Sequence, residues 1–448
     1  MKKITTYSLT ALLLAAASLS SCNKKLDIEP VNQVSAEKAL QNSDDVEAAL
    51  IGAYTALGSA SLYGGQIQFL SELLGDNGEL QFVGTFGYPK EFFSKIVLPQ
   101  NIAVASTWTE AYRAINSANN VLANISKVTT AKQPRIEGEA RFIRGALYFE
   151  LVKLYAKSYN DGNPQSNLGV PLVLTPTSTI SETSKVSRNT VAEVYAQVVA
   201  DLTAAEQKIP TAGSPFYAAT KYAAAGMLAR VYLQQGNFKD AAEAANRVIS
   251  SGNYSLTPTY AAEFNTPGNT SEDIFDVQVT SQSGVNDLFT FFSESGRGGD
   301  VEIQQSHLNQ YETGDARRAL FDKTGTYTLK FEQQYANVKV IRLAEMYLIR
   351  AEANFRAKTA VGATPLADVN RIRARAKLAP LVALTSVAPI LMERHLELAF
   401  EGFTLADAKR NKMSIGSIPY NADRLVLPIP RRERDVNSNL VQNPGYPQ

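Results

Sequence analysis

The 448-residue sequence carries 44 basic and 43 acidic side chains, two histidines and one cysteine. A charge this close to balance excludes the basic surplus of nucleic-acid and anionic-lipid binders. A lone cysteine excludes an internal disulfide or a cysteine-built zinc knuckle, and so few histidines leave little for metal or acid–base chemistry.

At the start, Lys2 and Lys3 precede an apolar run from about Leu9 to Leu19, too short to span a bilayer as a mature helix. Leu19-Ser20-Ser21-Cys22 closes it and matches the bacterial lipobox. Residues 1–21 then read as a lipoprotein signal peptide and Cys22 as the lipidated first residue. The alternative is an ordinary secretory signal cut near Ala17, with Cys22 incidental. Acyl chains bring about 0.8 kcal/mol per buried methylene, so two or three anchor stably where one is marginal. No later apolar stretch approaches the ~18 residues of a membrane-spanning helix.

Residues 22–34, with Pro30, read as an extended tether. Residues 35–57 have an amphipathic helical pattern with Ser35 as N-cap. After a break at 58–65, the stretch 75–89 interleaves Gly75, Gly78, Gly84, Gly87 and Pro89 with aromatics, which predicts an exposed loop. From 106 the helical period takes over. Trp108, Tyr112, Ile115, Ala118 and Leu122 line one face, and Ala140, Ile143, Leu147, Leu151 and Leu154 line the next. Further helices are predicted at 190–209, 217–234 and 238–249. Leu228-Ala229, Tyr232, Gly236, Phe238 and Ala241 follow tetratricopeptide spacing, and Leu343-Ala344-Tyr347 with Ala367 is a weaker instance. Helix pairs at about 106–253 and 338–377 thus flank a looped insertion at about 254–337. The insertion has strand-like pieces at 273–280 and 327–331 and a Gly-rich loop at 295–300. The tail from 418 reads as short strands and turns. The chain is predicted to be all-α: tetratricopeptide-like helix pairs carrying a loop-rich, less regular lobe.

Several segments resemble one family across nearly the whole chain. Cys22 is followed by LDIEP at 26–30. GEARFIRGALYFELVKLY occupies 138–155 and GVPLVL 169–174. YANVKVIRLAEMYLIRAEA spans 335–353, ERHLELAFEG 393–402 with DAKR at 407–410, and LPIPRRERDVNSNLVQNPGY 427–446. In this order behind a lipobox they resemble the SusD/RagB outer-membrane nutrient-binding lipoproteins of Bacteroidetes. The chain departs from that pattern at His395, where arginine is more usual, and at 403–406. Asn23-Lys24-Lys25 also stands before the first acid, Asp27, where acids often mark export to the surface. The resemblance implies a SusD-like domain over 35–448, lipid-anchored at Cys22 in the outer membrane and exposed at the cell surface. It implies a binding protein with no catalytic role, which captures a glycan or oligosaccharide and passes it to a SusC-like TonB-dependent transporter. Peptide capture, or service mainly as the transporter's lid, is the alternative.

Other chemistries find little support in the residues. His395 sits among Arg394, Glu397 and Glu401 and reads as a helix face; His307 follows a polar run and shows no partner, so neither builds a catalytic triad. Glu72, Asp76 and Glu79 cluster in sequence as a carboxylate pair for sugar hydrolysis would, without a defined separation. Asp435, Asn437 and Asn439 begin like a calcium loop, but Leu440 and Tyr446 stand where glycine and glutamate are required. The Gly296–Gly299 run lacks the lysine of a phosphate loop. No metal, cofactor or nucleic acid is expected. Trp108 reads as core from its helical spacing, with a sugar platform as the lesser alternative. Loop residues are the better candidates: Phe82, Phe86, Tyr88, Phe291 and Phe292 to stack on pyranose faces, and Asp76, Asn77, Gln81 and Arg297 to bind hydroxyls. Two or three stacked rings at about 0.5–1.5 kcal/mol each, with hydrogen bonds near 1 kcal/mol, predict a micromolar to millimolar binder, about −8 to −4 kcal/mol.

Overall fold

The computed structural model describes residues 39–178 and 181–447. Short polar side chains open the helices by accepting from the free amides of the first turn. Asn42 accepts from Asp44 and Asp45 while the Asp45 carboxylate accepts from the Asn42 amide, a capping box that opens α1 (Ser43–Leu57). The helix was expected from Ser35, which lies outside the described residues; the cap at Asn42 fixes the observed start. α2 (Gln66–Gly75) is buried along its whole length. β1 (Leu80–Phe82) and α3 (Gly87–Phe93) follow. The stretch predicted as an exposed loop is therefore partly core: Leu80 and Phe82 point inward and Gln81 outward, the two-residue period of a strand.

The next five helices form a continuous stack: α4 (Ile102–Ala123), α5 (Gln133–Tyr155), α6 (Val191–Lys208), α7 (Lys221–Gln235) and α8 (Phe238–Ile249), each packed on the one before. Asn101 caps α4, Thr190 and Glu193 box α6, and Thr220 caps α7, four residues or so beyond the predicted start at 217. Trp108 is core, 3% exposed. Its ring meets Tyr155 edge-on at 5.0 Å, and the Tyr155 hydroxyl donates to the Val104 carbonyl at 2.6 Å, so the buried polar end is satisfied. Gly236, at φ 75°, ends α7 in the left-handed conformation, and the Asn237 amide donates back to the Tyr232 carbonyl.

The insertion leaves after α8 and returns through two antiparallel pairs. β2 (Asp273–Val277) pairs with β4 (Val338–Arg342) with Val277 opposite Val338. Between them lie α9 (Asp287–Phe292), α10 (Glu294–Arg297), β3 (Val301–Ile303) and α11 (Gln305–Leu308). The strand expected at 327–331 does not form. The Asp322 carboxylate accepts from the Thr324 and Tyr327 amides, and this turn leaves only a single bridge from Thr328 to Phe321. β3 pairs with β1, Leu80 opposite Ile303 and Phe82 opposite Val301.

β4 runs directly into α12 (Leu343–Ala357), which packs on α8, so the stack continues across the insertion. α13 (Pro365–Arg375), α14 (Ala388–Glu397), α15 (Thr404–Arg410) and α16 (Arg431–Val436) complete the order. This half is cored by charges. Arg342 meets Glu272 at 3.0 Å, Glu397 at 2.6 Å and Glu401 at 2.8 Å, and Glu352 meets Arg410 at 2.6 Å. The tail was expected to hold short strands; beyond 418 it has a 3-10 turn and α16, because Pro428 and Pro430 withhold the ladder donors a strand needs. With sixteen α-helices and four short strands among the described residues, the fold is all-α as predicted.

Candidate ligand-binding face

β1 ends where the loop 83–86 begins, and β3 begins where the Gly-rich stretch ends. Antiparallel pairing sets those two loops side by side: the Val83 and Gly84 amides both donate to the Asp300 carbonyl, at 2.9 and 3.3 Å. Three of the predicted residues, Phe86, Tyr88 and Arg297, share the resulting surface, and Phe291 lies in the core beneath them. Phe86 and Tyr88 lie together at the surface with ring centroids 5.9 Å apart, Phe86 being 37% exposed. The Arg297 guanidinium, carried by α10, sits 4.0 Å from the Phe86 centroid and 3.5 Å from Asp300. Tyr88 rests edge-on against Phe291 at 6.4 Å, and Phe291 stacks at 4.1 Å on Phe69 of the buried α2. The surface pair thus stands on a ring column rooted in the core, which fixes its orientation.

Electrostatics also converge here. Burial and the nearby Asp287 push the Tyr88 phenol up to about 12, so it remains a hydrogen-bond donor. Burial pushes the Asp287 carboxyl up to about 6. Asp287, Arg297 and Asp300 all lie near enough to act on Tyr88. The arrangement offers the Phe86 face not covered by the Arg297 guanidinium, and the neighbouring Tyr88 ring, for an apolar surface, with a phenol and carboxyls beside them.

The other predicted residues separate from this face. Phe82, Phe291 and Phe292 are 6%, 3% and 0% exposed and fill the core, so they present no stacking surface. Asp76 is also corrected: its buried carboxylate accepts from the amides of Gly78, Glu79 and Leu80 and shapes the turn into β1. Gln81 is exposed on β1 opposite Glu302. Asn77 lines a separate cleft of about 360 Å³ and accepts from the Gly416 amide at 2.6 Å. Cys22 lies outside the described residues. Asp287 and Asp300 were missed as contributors; composition alone does not separate them from the chain's other acids.

The clustered acids have separate tasks. Glu72 accepts from the Gly402, Phe403 and Thr404 amides and the Thr404 hydroxyl, capping α15 from α2. Glu79 stands between the two histidines, and His307, expected to have no partner, is corrected accordingly. His307 Nδ1 lies 2.6 Å and His395 Nε2 2.7 Å from the same Glu79 oxygen, Oε2. Burial pushes Glu79 up, but the two imidazole hydrogen bonds outweigh it and hold the carboxyl well below the usual range.

Two family models match: residues 26–233 fit one described as starch-binding, associating with the outer membrane, and 300–425 fit the SusD family model. The chain belongs to the SusD/RagB family. A family relative, SusD-like protein P2 of Formosa agariphila, is 27% identical over the full length of both chains. Among solved structures, a SusD superfamily protein of Bacteroides thetaiotaomicron superposes with TM-score 0.81 at 26% identity, covering 90% of this chain and all of that one. A candidate sugar-binding protein of Bacteroides vulgatus gives the same score and identity over 91% of this chain and all of its own. The SusD/RagB chain described here thus shares its fold with these SusD superfamily proteins over nine-tenths of its length.

Proposed function

We propose that this SusD/RagB chain is a non-catalytic, lipid-anchored capture protein at the cell surface. It binds a glycan on the Phe86–Tyr88–Arg297 face and delivers it to a SusC-like TonB-dependent transporter. The observation that carries this reading is an exposed Phe86 beside a half-buried Tyr88, braced from the core and flanked by hydrogen-bonding groups. A pyranose stacks its apolar face on such rings while Arg297, Tyr88 and Asp287 take hydroxyls. At about 0.5–1.5 kcal/mol per ring and about 1 kcal/mol per hydrogen bond, the face supports weak, reversible capture, which suits hand-over. Lipobox cleavage and acylation at Cys22 would hold the protein beside the transporter and raise its effective concentration there.

Affinity electrophoresis of the purified chain through a polysaccharide panel tests the face. Retardation by at least one glycan is expected, with affinity reduced about 2- to 10-fold by Phe86→Ala or Tyr88→Ala, the range one stacked ring supplies. No retardation by any glycan, with capture of peptides instead, would replace the reading by the peptide-binding one. Turnover of the panel would establish a hydrolase. For the anchor, Cys22→Ala is expected to move the protein out of the membrane fraction on cell lysis; unchanged fractionation would sink the lipid assignment.

A further inference from the structure

The chain's only two histidines come from elements far apart in sequence, α11 and α14, and converge on one oxygen of Glu79 at the mouth of β1. We propose that Glu79, His307 and His395 form a binding site for a borderline divalent transition cation of the zinc class. Two imidazoles and a carboxylate are a donor set that such ions take, with nitrogen bonds of about 2.0–2.1 Å and oxygen bonds of about 2.0–2.2 Å. The three donor atoms lie within 4.8 Å of one another. A tetrahedral ion at those bond lengths sets its donors roughly 3.4 Å apart, so the present 2.6 and 2.7 Å hydrogen bonds open modestly to admit it.

The surroundings permit that movement and complete the site. His307 is fixed: it is 1% exposed, and its Nε2 lies 3.1 Å from the Tyr311 hydroxyl. When Nδ1 gives its lone pair to the ion, the ring proton resides on Nε2 and the Tyr311 oxygen accepts it. This is the outer contact that sets a metal-bound imidazole's tautomer. His395 and Glu79 retain 27% and 18% side-chain exposure. Both border the 360 Å³ cleft, from which a water fills the fourth position. Glu72 and Asp407 stand near His395, although Arg394 and Arg410 pair with Asp407 and Lys330 lies near His307, so the site's affinity rests on its three donor atoms rather than on the surrounding field. The Gln304 amide donates to the Glu79 carbonyl beside the β1–β3 pair, so the ion would staple together three segments that meet only in the folded chain.

The test uses the untagged full-length chain, stripped with chelator and titrated with zinc chloride by calorimetry, with cobalt(II) as a spectroscopic probe. One zinc ion per chain is expected, with a tetrahedral cobalt spectrum and a melting temperature that rises with zinc. His395→Arg keeps a cation facing Glu79 but offers no lone pair. It is expected to weaken zinc binding by more than the roughly 100-fold that an outer-contact change costs and to abolish the cobalt spectrum. Glu79→Gln is a second variant with the same expectation. Absence of zinc binding by the wild-type chain would overturn the proposal, leaving a hydrogen-bonded triad only. So would equal binding by His395→Arg, which would place the ion elsewhere.

Discussion

In the hairpin α7–α8 half of the buried residues are alanines: Ala223, Ala224, Ala225 and Ala229 on one helix, Ala241, Ala242, Ala244 and Ala245 on the other, with Arg230 the one buried charge. In α12–α13 the buried set includes Glu345, Arg350, Glu352, Asp368, Arg373 and Arg375. Arg350 binds Asp368 across that second interface at 2.6 Å and also reaches Asn246 of α8 at 2.6 Å. The turns differ to match. Gly236 lets α8 begin two residues later, whereas α12 ends on Lys358 at φ 55° and needs residues 359–364 before α13. Both hairpins show tetratricopeptide-like spacing, yet α7–α8 closes largely on small side chains, with Arg230 reaching Glu345 of α12, whereas α12–α13 buries charge pairs made within the hairpin and with distant segments. Spacing therefore predicts the geometry of a helix pair, not what holds it.

The sharpest way to break this contrast is Arg342→Met. Glu272, Glu397 and Glu401 lose a shared partner and three buried carboxylates are left facing Arg375 and Lys330, which is expected to cost up to about 3–5 kcal/mol in denaturant unfolding. Acid reaches the same region selectively. Burial pushes Glu401 and Asp407 up, but Arg342 and Lys330 at the first, and Arg394 and Arg410 at the second, outweigh it and hold both carboxyls at about 2. Their folded values lie below the reference values of 4.5 and 3.8, so their stabilisation is present above that range. It fades as pH falls from there to about 2. Hydrogen exchange is expected to show α15 and the start of α12 losing protection at higher pH than α7–α8.

Smaller changes act on the alanine hairpin and on the turns. Ala244→Leu overfills α8 and is expected to cost about 1–3 kcal/mol, while volume changes at exposed α13 positions cost little. Lys358→Gly relieves a left-handed lysine and is expected to stabilise by up to about 1 kcal/mol. Gly236→Ala goes the other way by about 1–2 kcal/mol. Equal responses at the two turns would remove the contrast.

The helices were legible because apolar period and caps are local: Asn101, Thr190 and Thr364 each mark a start within three residues of the amides they satisfy. The candidate face was legible only in part. Phe86 and Phe82 are the same residue type four positions apart, and what separates them is a strand pairing with Val301, which no local pattern specifies. Phe291 and Phe292 became core for the same reason, through contact with Phe69 of α2. The histidine pair was invisible because its partner, Glu79, lies 228 and 316 residues away. The rarity of histidine together with the departure at His395 was the one available signal.

The pairing of β1 with β3 also has a consequence for how the molecule comes into being. Leu80 must find Ile303, and closing so long a chain segment is entropically slow compared with forming neighbouring helices. The helix hairpins therefore assemble first, and the aromatic pair acquires its bracing from α9 and α10 only once most of the polypeptide has been made. The candidate face is thus completed late in folding, and a truncated or stalled chain ending before 300 would keep the α4–α8 stack yet lack the β3 strand that sets the two loops side by side.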